Sequence, residues 1–528
     1  MQPQAINEEK PFAEADAKFN ELKTRLGSES SRLLSHSEIE ELLQVEGREV
    51  LRLLYQGHLD LRGPGDVDGD VVGGDRVVRV AGRIHDRKLQ TVFGTVEVSR
   101  RSYAAEGHAS LHPLDADLNL PSERYSHGTR RRVAEEIRKQ SFDETVDELA
   151  RTLGEPVPKR QVEELTIRAA QDFDGFYEKR KAASTREVAK TGDIVVISSD
   201  GKGVPMHTGD LRPATKKAAE KQAADNANEK PFSLGRPRSS EEARDRKRMA
   251  TVAAVYTTAA FFRTPEDVVR ELNHLQVVDS GESAKRPKPE RKRVWASLEK
   301  TPHEVLGAAF TEALRRDPKR KKLWAALVDG NETQLDAIHA LEREHELTIS
   351  IIVDFIHVAG YVWKAAHAFH PRGSKDAETW VRDHLLEILR GRSSAVAGGM
   401  RRSATLRGLS GKERESVDDC ADYLIKYRAF LHYDEYLAAG LPIATGVIEG
   451  ACRYLVKDRM EITGAVWGLA SAEAVLKLRA LHASGDFDEY WSFHKDKEFR
   501  RNHASHYANS RPPAVRNTTR HGRLRLAT

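Results

Sequence analysis

The feature that most constrains the fold of this chain is a series of short apolar runs that each lead to an aspartate. The runs are IVVIS before Asp200, LWAALV before Asp329 and ISIIV before Asp354. A short continuous apolar run is typical of a strand buried on both faces of a sheet. Helical patterns follow Asp329 and Asp354, and strands that alternate with helices indicate an α/β sheet with a parallel portion.

The three aspartates are candidates for one shared site. In an open α/β sheet the carboxyl ends of the strands meet at one edge, where ligands usually bind. Carboxylates gathered there repel one another unless divalent cations neutralise them, and hard oxygen ligands suit Mg²⁺ or Mn²⁺. A single aspartate after a strand is often only a turn former or a helix cap. The inference therefore depends on the recurrence of the acid and not on any one position.

A segment late in the chain, GVIEGACRYLVKDRM, supplies a further acid on a helix. At helical spacing Ile448, Cys452 and Leu455 form an apolar face, so Glu449 projects from another side together with Arg453. Glu449 could bind metal there, while basic neighbours meet phosphate; an ordinary surface salt bridge is the alternative. The neighbours proposed for phosphate are Arg453, Lys457 and Arg459.

Composition excludes several classes of protein. Hydrophobic residues make up 39% and charged residues 31% of the chain, and the mean hydropathy of −0.59 excludes a polytopic membrane protein, so we expect no membrane partner. The polar, acidic N-terminus lacks the pattern of an export signal, which predicts a cytoplasmic location. Two cysteines cannot build a disulfide framework or a four-thiolate zinc site. The sequence has neither a GxxxxGK[ST] phosphate loop nor a GxGxxG after a strand.

Basic clusters are the candidate contacts for a polyanion, because 85 Lys and Arg against 81 Asp and Glu give a net charge of only +4. They lie at 285–293, 315–322 and 499–528, with Lys202 beside Asp200, and solvated loops are the alternative interpretation. We do not expect a soft-metal site at Cys452, His503 or His506, since no partner cluster has ligand spacing. The residues proposed to contact the DNA backbone from the first two clusters are Arg291, Lys292, Arg293, Lys319 and Arg320.

The region before the apolar runs predicts three smaller parts. Residues 1–60 are predicted to form a helical arm for packing or dimerisation, and residues 61–125 a small β-rich unit with a hairpin that bends near Gly94. Residues 126–180 are predicted to form short helices similar to a helix-turn-helix, including a capping box of Ser141 and Glu144. A helical hairpin that only packs is the alternative, because Glu163 and Glu164 would be repelled by DNA.

Several phrases of the chain resemble the ISKra-type insertion-sequence transposases of bacteria, over about residues 90–500. The order of Asp200 on a first strand, Asp329 after a fourth and Glu449 on a late helix is similar to the RNase H-like core of DDE transposases. The phrases that carry the resemblance are TVFGTVEVSRRSY, HPLDADLNLP with YSHGTRRRVAEE, SSDGKGVPM, VDGNETQ and GVIEGACRYLVKDRMEITGAVW.

The resemblance implies a catalytic, metal-binding triad of Asp200, Asp329 and Glu449 that holds two Mg²⁺ or Mn²⁺ ions. It implies metal-dependent cleavage and strand transfer of an insertion sequence. The partners would be the double-stranded DNA of the element ends and the target, together with further copies of the chain in a dimer or higher oligomer. The location would be the bacterial cytoplasm, in association with the nucleoid.

The fold class that follows is α/β, an RNase H-like catalytic core with a helical insertion, plus the N-terminal helical and small β/helix-turn-helix-like region. Four further parts are predicted after residues 126–180. They are the first part of the core at 190–375 with a mobile insertion at 208–248, the helical insertion at 376–440, the final part of the core at 441–485 and a basic C-terminal tail at 486–528.

Two questions stay open from the sequence. Asp354 and His357 resemble an Asp-x-x-His element that Mutator-like and hAT transposases carry after the fifth strand, which implies a supporting or DNA-positioning role; alternatively, Asp354 is the second metal ligand and Asp329 a turn residue. The second question is the activity. An RNase H-like nuclease of the resolvase type, or a transposase-derived DNA-binding protein without catalysis, is the alternative to a transposase.

Overall fold

A computed structural model describes residues 11–182, 191–227, 246–272 and 286–516. The chain forms two compact units. The first comprises Met1–Phe176 and Asp488–Thr528, and the second comprises Tyr177–Phe487. The protein is a mixed α/β molecule with one three-stranded and one five-stranded sheet among the described residues.

The first unit combines helices with a small antiparallel sheet. The sheet contains β1 (Val71–Val72), β2 (Val78–Thr91) and β3 (Gly94–Ala104). Thr91 pairs with Gly94, so a two-residue turn joins the hairpin, and Gly94 has φ +122°, which favours glycine. The helices are α1 (Ala13–Gly27), α2 (Glu29–Arg32), α3 (His36–Arg62), α4 (Pro113–Asp117), α5 (His127–Ile137), α6 (Phe142–Leu153) and α7 (Lys159–Ala170), and α8 (Phe173–Ala182) begins in this unit and continues into the second from Tyr177.

The predicted local signals of this unit are confirmed. Ser141 and Glu144 form the reciprocal capping box of α6, and Gly154 ends that helix in the left-handed conformation. Helices α5, α6 and α7 pack on one another. Whether this group of helices binds DNA stays a prediction.

The C-terminal segment belongs to the first unit, which the predicted basic tail did not anticipate. Helix α21 spans Phe487–Asn502, and Tyr507 is buried in a cluster with Val71 and Tyr103. The contacts of this segment with the interior come from aromatic residues that lie between the basic ones. A count of charges along the sequence therefore does not reveal that the segment packs. Residues 517–528 lie outside the described part of the chain.

The second unit contains the five-stranded sheet, with the strand order β6-β5-β4-β7-β8. Strands β4, β5 and β6 are antiparallel, whereas β7 and β8 run parallel to β4. The mixed sheet with its parallel portion was predicted; β6 was not, because the basic residues at its start hid it. The strands are β4 (Ile194–Pro205), β5 (Lys247–Thr258), β6 (Glu290–Ser297), β7 (Leu323–Val328) and β8 (Ser350–Val353).

Strand β4 does not end at Asp200, and that expectation was wrong. The strand continues to Pro205 because β5 pairs with it along its whole length. Its parallel pairing with β7 stops at Ser198, however. Asp200 therefore stands just beyond the end of the parallel ladder, although it lies within a strand.

The helices of the second unit follow the sheet strands and then form a long helical block. A helix at Ser393–Leu406 forms within the Gly/Ser/Arg-rich stretch at 391–412, because Val396, Ala397 and Met400 make a buried stripe. The helices are α9 (Pro213–Ala227), α10 (Pro265–Leu272), α11 (Pro302–Arg316), α12 (Glu332–Glu344), α13 (Phe355–Phe369), α14 (Lys375–Leu389), α15 (Ser393–Leu406), α16 (Lys412–Lys426), α17 (Tyr433–Ala438), α18 (Gly446–Ala451), α19 (Asp458–Met460) and α20 (Leu469–Ser484).

The predicted mobile insertion at 208–248 falls partly on described residues. Residues 213–227 form α9, and β5 begins at Lys247. Residues 228–245 lie outside the described part of the chain. In the described ranges, every helix is too short or too polar to cross a membrane.

Candidate functional site

Asp200 is fixed by two hydrogen bonds to its carboxylate. The backbone N–H of Gly201 donates to Oδ1 at 2.6 Å, and the thiol of Cys452 donates to Oδ2 at 3.1 Å. Burial raises the pKa of the Cys452 thiol, and the charge of Asp200 raises it further, so the sulfur remains protonated as a donor. This contact brings the Glu449 segment to the strand that carries Asp200.

Asp329 follows β7 directly and caps the turn that leads into α12. The N–H of Asn331 donates to Asp329 Oδ1 at 3.0 Å, and the hydroxyl of Tyr423 donates to the Asp329 carbonyl at 2.9 Å. Burial raises the pKa of the Asp329 carboxyl, and the charge of Asp200 raises it further. The hydrogen bond from Asn331 and the charge of His357 act in the opposite direction. Asp200 is thus close enough to Asp329 for their charges to interact.

Glu449 lies on α18, near the same group of acids. Partial burial raises the pKa of its carboxyl, and the charges of Asp354 and Asp200 raise it further, while His357 and Lys202 oppose them. The charge of Asp200 thus acts on the carboxyls of both Asp329 and Glu449, and that of His357 opposes it at both.

Asp354 has a different environment from the other acids. It is only 3% exposed, and it caps α13 through the N–H of Ile356 at 3.0 Å. Thr445, the residue before α18, donates its hydroxyl to Asp354 Oδ2 at 2.5 Å and its N–H to Oδ1 at 3.3 Å. Both oxygens of Asp354 are thus engaged in holding the start of the Glu449 helix against β8.

His357 lies beside a group of tyrosines on α13 and α16. Its ring centroid is 5.5 Å from that of Tyr361 and 5.8 Å from that of Tyr423. Tyr361 and Tyr423 stack at 4.2 Å, and Tyr427 donates to the Gly330 carbonyl at 2.6 Å. These hydroxyls hold the turn after β7, and sequence reasoning missed them because the tyrosines lie about 90 residues away from it.

The helix that carries Glu449 widens into a π-helical turn at Cys452–Lys457. Such turns release backbone carbonyls and often occur at functional sites. The guanidinium of Arg479 donates to two of these carbonyls, at Leu455 with a distance of 2.9 Å and at Tyr454. The turn is therefore stabilised from outside the helix.

The basic residues predicted near Glu449 differ in their surroundings. Arg453 and Lys457 are exposed, and Arg453 lies 3.6 Å from Asp458, in an ion pair different from the surface pair with Glu449 that was the alternative interpretation. Arg459 is 3% exposed, with its guanidinium 4.6 Å from the Trp467 ring centroid. Arg453 and Lys457 are thus accessible to a phosphate, whereas Arg459 packs inside the unit.

The basic clusters upstream are partly used inside the protein. Arg293 lies over the Tyr177 ring at 3.5 Å and pairs with Glu312 at 3.3 Å. Arg320 donates to the Glu346 carbonyl at 3.4 Å. Arg291 and Lys319 are exposed, and Lys292 lies 5.1 Å from the Tyr454 ring centroid. DNA contact by these residues stays a prediction.

A second group of ligating side chains lies in the first unit. Asp172, His494 and Glu498 are buried, and among the described residues they are the group whose ligand atoms all meet within 4.8 Å and could hold a metal ion. Asp200, Asp329 and Glu449 do not form such a group around a single point. Sequence reasoning missed this second group, because 322 residues separate Asp172 from His494.

Arginines already neutralise this buried cluster. His494 Nδ1 lies 2.8 Å from Asp172 Oδ2, and Arg130 donates to Glu498 at 2.7 Å and lies 2.9 Å from His494 Nε2. Burial alone would raise the pKa of Glu498, but the charge and hydrogen bond of Arg130, together with the charges of His494 and Arg501, lower it. A metal ion would have to displace these bonds.

No protein-family model matches this chain, and no curated protein has a significantly similar sequence.

Proposed function

We propose that this chain is a DDE transposase that cleaves DNA at the ends of an insertion sequence and joins them to a target. The observation that carries the proposal is that Cys452, three residues after Glu449, donates a hydrogen bond to Asp200, and that the charge of Asp200 raises the pKa of both Asp329 and Glu449. The sheet supports an RNase H-like core, because three antiparallel strands precede two strands parallel to the first.

The donor set fits two Mg²⁺ or Mn²⁺ ions. All three side chains offer hard carboxylate oxygens, and the raised pKa values of Asp329 and Glu449 reflect burial and repulsion that cations would relieve. Two ions held by different pairs of ligands do not require all three carboxylates to meet around one point. When bound, the ions would supply activation of a nucleophilic oxygen and stabilisation of the leaving oxygen.

The geometry favours Asp329 over Asp354 as the second ligand. Asp354 is buried, and both of its oxygens accept hydrogen bonds from Thr445 or Ile356. Within the described structure, Asp329 uses only Oδ1 in such a bond. We assign Asp354 the role of holding α18, so that Glu449 faces the other acids.

The surrounding residues would orient the acids and receive DNA. Cys452 fixes the rotamer of Asp200 through its thiol, and Lys202 contributes positive charge near Glu449. The exposed Arg453 and Lys457 would contact phosphate oxygens without reading sequence. The partners would be element-end and target DNA and further copies of the chain, in the bacterial cytoplasm with the nucleoid.

The test is a cleavage and strand-transfer assay with DNA that carries the inverted repeats flanking the coding sequence in its genome. We expect Asp200→Asn, Asp329→Asn and Glu449→Gln each to abolish Mg²⁺-dependent cleavage while DNA binding persists. Asp336→Asn, an exposed aspartate on α12, is the matched control and should retain activity. Wild-type-like cleavage by any triad variant removes that residue from the triad.

The same assay separates the alternatives. Cleavage without joining of the cut 3′ ends to a target would indicate a nuclease of the resolvase type. Binding without cleavage by the wild-type protein, in both Mg²⁺ and Mn²⁺, would indicate a DNA-binding protein that lacks catalysis.

A further inference from the structure

A cavity of about 480 Å³ opens beside Glu449 in the second unit. It lies between the end of β5, helix α10 and the segment that leads into α18. Its volume lies within the range of small-molecule sites. The lining residues that matter are Tyr256, Phe261, Phe355, Arg263, Arg286 and Glu449.

Arg263 is the chemically unusual member of this lining. Its side chain is only 5% exposed, and its Nε has no hydrogen-bond partner among the described residues. Among the described residues, its ion-pair partner is Glu271, 3.5 Å from Nη1, a distance at the limit of a hydrogen bond. Buried guanidinium donors normally find acceptors, so Arg263 has unused capacity for an anion.

A second positive charge near Arg263 makes an anion there still more favourable. Burial lowers the pKa of Arg263, and the nearby Arg286 lowers it further. An anionic ligand between the two guanidinium groups would relieve both effects, since arginine binds phosphate oxygens in a fork. The aromatic rings of Tyr256, Phe261 and Phe355 line the same cavity, and such rings stack on nucleobases.

We infer that this cavity binds a single nucleotide, with its phosphate on Arg263 and Arg286 and its base against the aromatic rings. The nucleotide could be free or could be an unpaired residue of a DNA strand. The second source depends on the proposed function, because Glu449 would then act on a phosphate nearby; the first source does not.

The first experiment measures binding of deoxyadenosine 5′-monophosphate to the full chain by calorimetry. A Cβ atom added at Gly446 meets no neighbouring atom within 4 Å, and Gly446 lines the cavity, so we expect Gly446→Phe to fill the cavity without disturbing the fold. We expect binding to weaken at least about tenfold, or about 1.4 kcal/mol. Gly398→Phe, at an equally open glycine in α15, is the control and should bind as the wild type does.

The second variant separates the phosphate contact from general packing. Arg263→Lys keeps the charge but removes the fork, so it should weaken binding of the monophosphate about tenfold and leave binding of deoxyadenosine unchanged. Equal loss for both ligands, or binding that survives Gly446→Phe, would overturn the assignment of the nucleotide to this cavity.

The third experiment identifies the source. Element-end DNA carrying 2-aminopurine should change its fluorescence on binding to the wild type, because the base leaves the quenching stack of the duplex for the aromatic rings, and should not on binding to Gly446→Phe. Monophosphate binding without this response would support the cavity and identify a free nucleotide as the ligand. If neither probe responds while wild-type cleavage proceeds, the nucleotide cavity is refuted and the proposed function stands.

Discussion

The thiol of Cys452 donates a hydrogen bond of 3.1 Å to Asp200 Oδ2, which links the Glu449 helix to the central strand of the five-stranded sheet. Cys452 is 3% exposed. The segment that carries Glu449 is therefore held to the strand of Asp200 by a side-chain contact three residues after the glutamate.

Removal of this hydrogen bond should impair catalysis without unfolding the protein. Cys452→Ala leaves one oxygen of Asp200 without its donor, and we expect a loss of about tenfold in cleavage rate, since a hydrogen bond to a charged group contributes about 1.5–3 kcal/mol. Cys452→Ser retains a donor and should recover most of the activity. The Mg²⁺ concentration for half-maximal rate should rise in the alanine variant; equal rates in all three proteins would contradict a positioning role.

Asp354 and Thr445 give a second test, because they separate a positioning acid from a metal ligand. Thr445→Val keeps the shape but removes the hydroxyl donor, and we expect a loss of about 1–3 kcal/mol in the free energy of unfolding together with slower cleavage. Asp354→Asn keeps two polar atoms and should retain measurable cleavage. If Asp354→Asn abolishes cleavage at unchanged thermal stability, whereas Asp329→Asn does not, Asp354 is the ligand.

The raised pKa values of Asp329 and Glu449 predict how stability depends on pH. The carboxyls of Asp329 and Glu449 bind protons more tightly in the folded chain than in the unfolded chain. Their protonation therefore favours folding at low pH, and the free energy of unfolding falls as pH rises through their folded pKa values. Metal-free protein should therefore be stabilised at neutral pH by Asp329→Asn.

Mg²⁺ should have a matching effect on thermal unfolding. At ten times its dissociation constant it should add about 1.4 kcal/mol at neutral pH and less at acidic pH, because the raised pKa values of Asp329 and Glu449 let protons compete with the ion there. The triad variants should lose this increment and Asp336→Asn should keep it. A Mg²⁺ effect that is the same at both pH values would refute binding by these acids.

The buried cluster of the first unit predicts a large structural effect. Arg130 is fully buried and bonds with Glu123 and Glu498. Arg130→Met would leave both acids without their cation and should cost about 3–5 kcal/mol of unfolding free energy. Arg501→Gln, at a half-exposed arginine of the same cluster, should cost much less. Thermal denaturation measures both.

The same cluster provides a test for a metal at Asp172, His494 and Glu498. Because Arg130 and Arg501 already bond with these acids, we expect neither Zn²⁺ nor a chelator to shift the melting temperature. A rise with Zn²⁺ that is lost in His494→Gln would show that an ion can replace the guanidinium contacts.

The sequence allowed much of the second unit to be predicted, because buried parallel strands are uninterrupted apolar runs. IVVIS, LWAALV and ISIIV all correspond to strands of the sheet. Strand β6 was not predictable, because its first four residues are charged and its buried part is short. The sequence also concealed the helix at Ser393–Leu406, because its glycines and arginines are typical of a linker while tertiary packing makes it helical.

The sequence allowed the acidic residues of the candidate site to be predicted, but not the residues that hydrogen-bond to them and hold them in place. Aspartates after strands and a glutamate on a helix leave a recurring pattern along the chain. Thr445 bonding with Asp354, Cys452 with Asp200 and Arg479 with the turn after α18 leave none, because each contact joins residues distant in sequence. Such pairs are specified by the fold and not by local pattern.

The π-helical turn at Cys452–Lys457 has a consequence for the length of this segment. A turn of this kind accommodates one residue more than regular winding does, and each residue of an α-helix advances the phase by about 100°. Shortening the segment by a single residue would rotate everything after it, including Met460, to a new side of the axis. Insertions and deletions here should be far less tolerated than substitutions at the exposed positions 453 and 457.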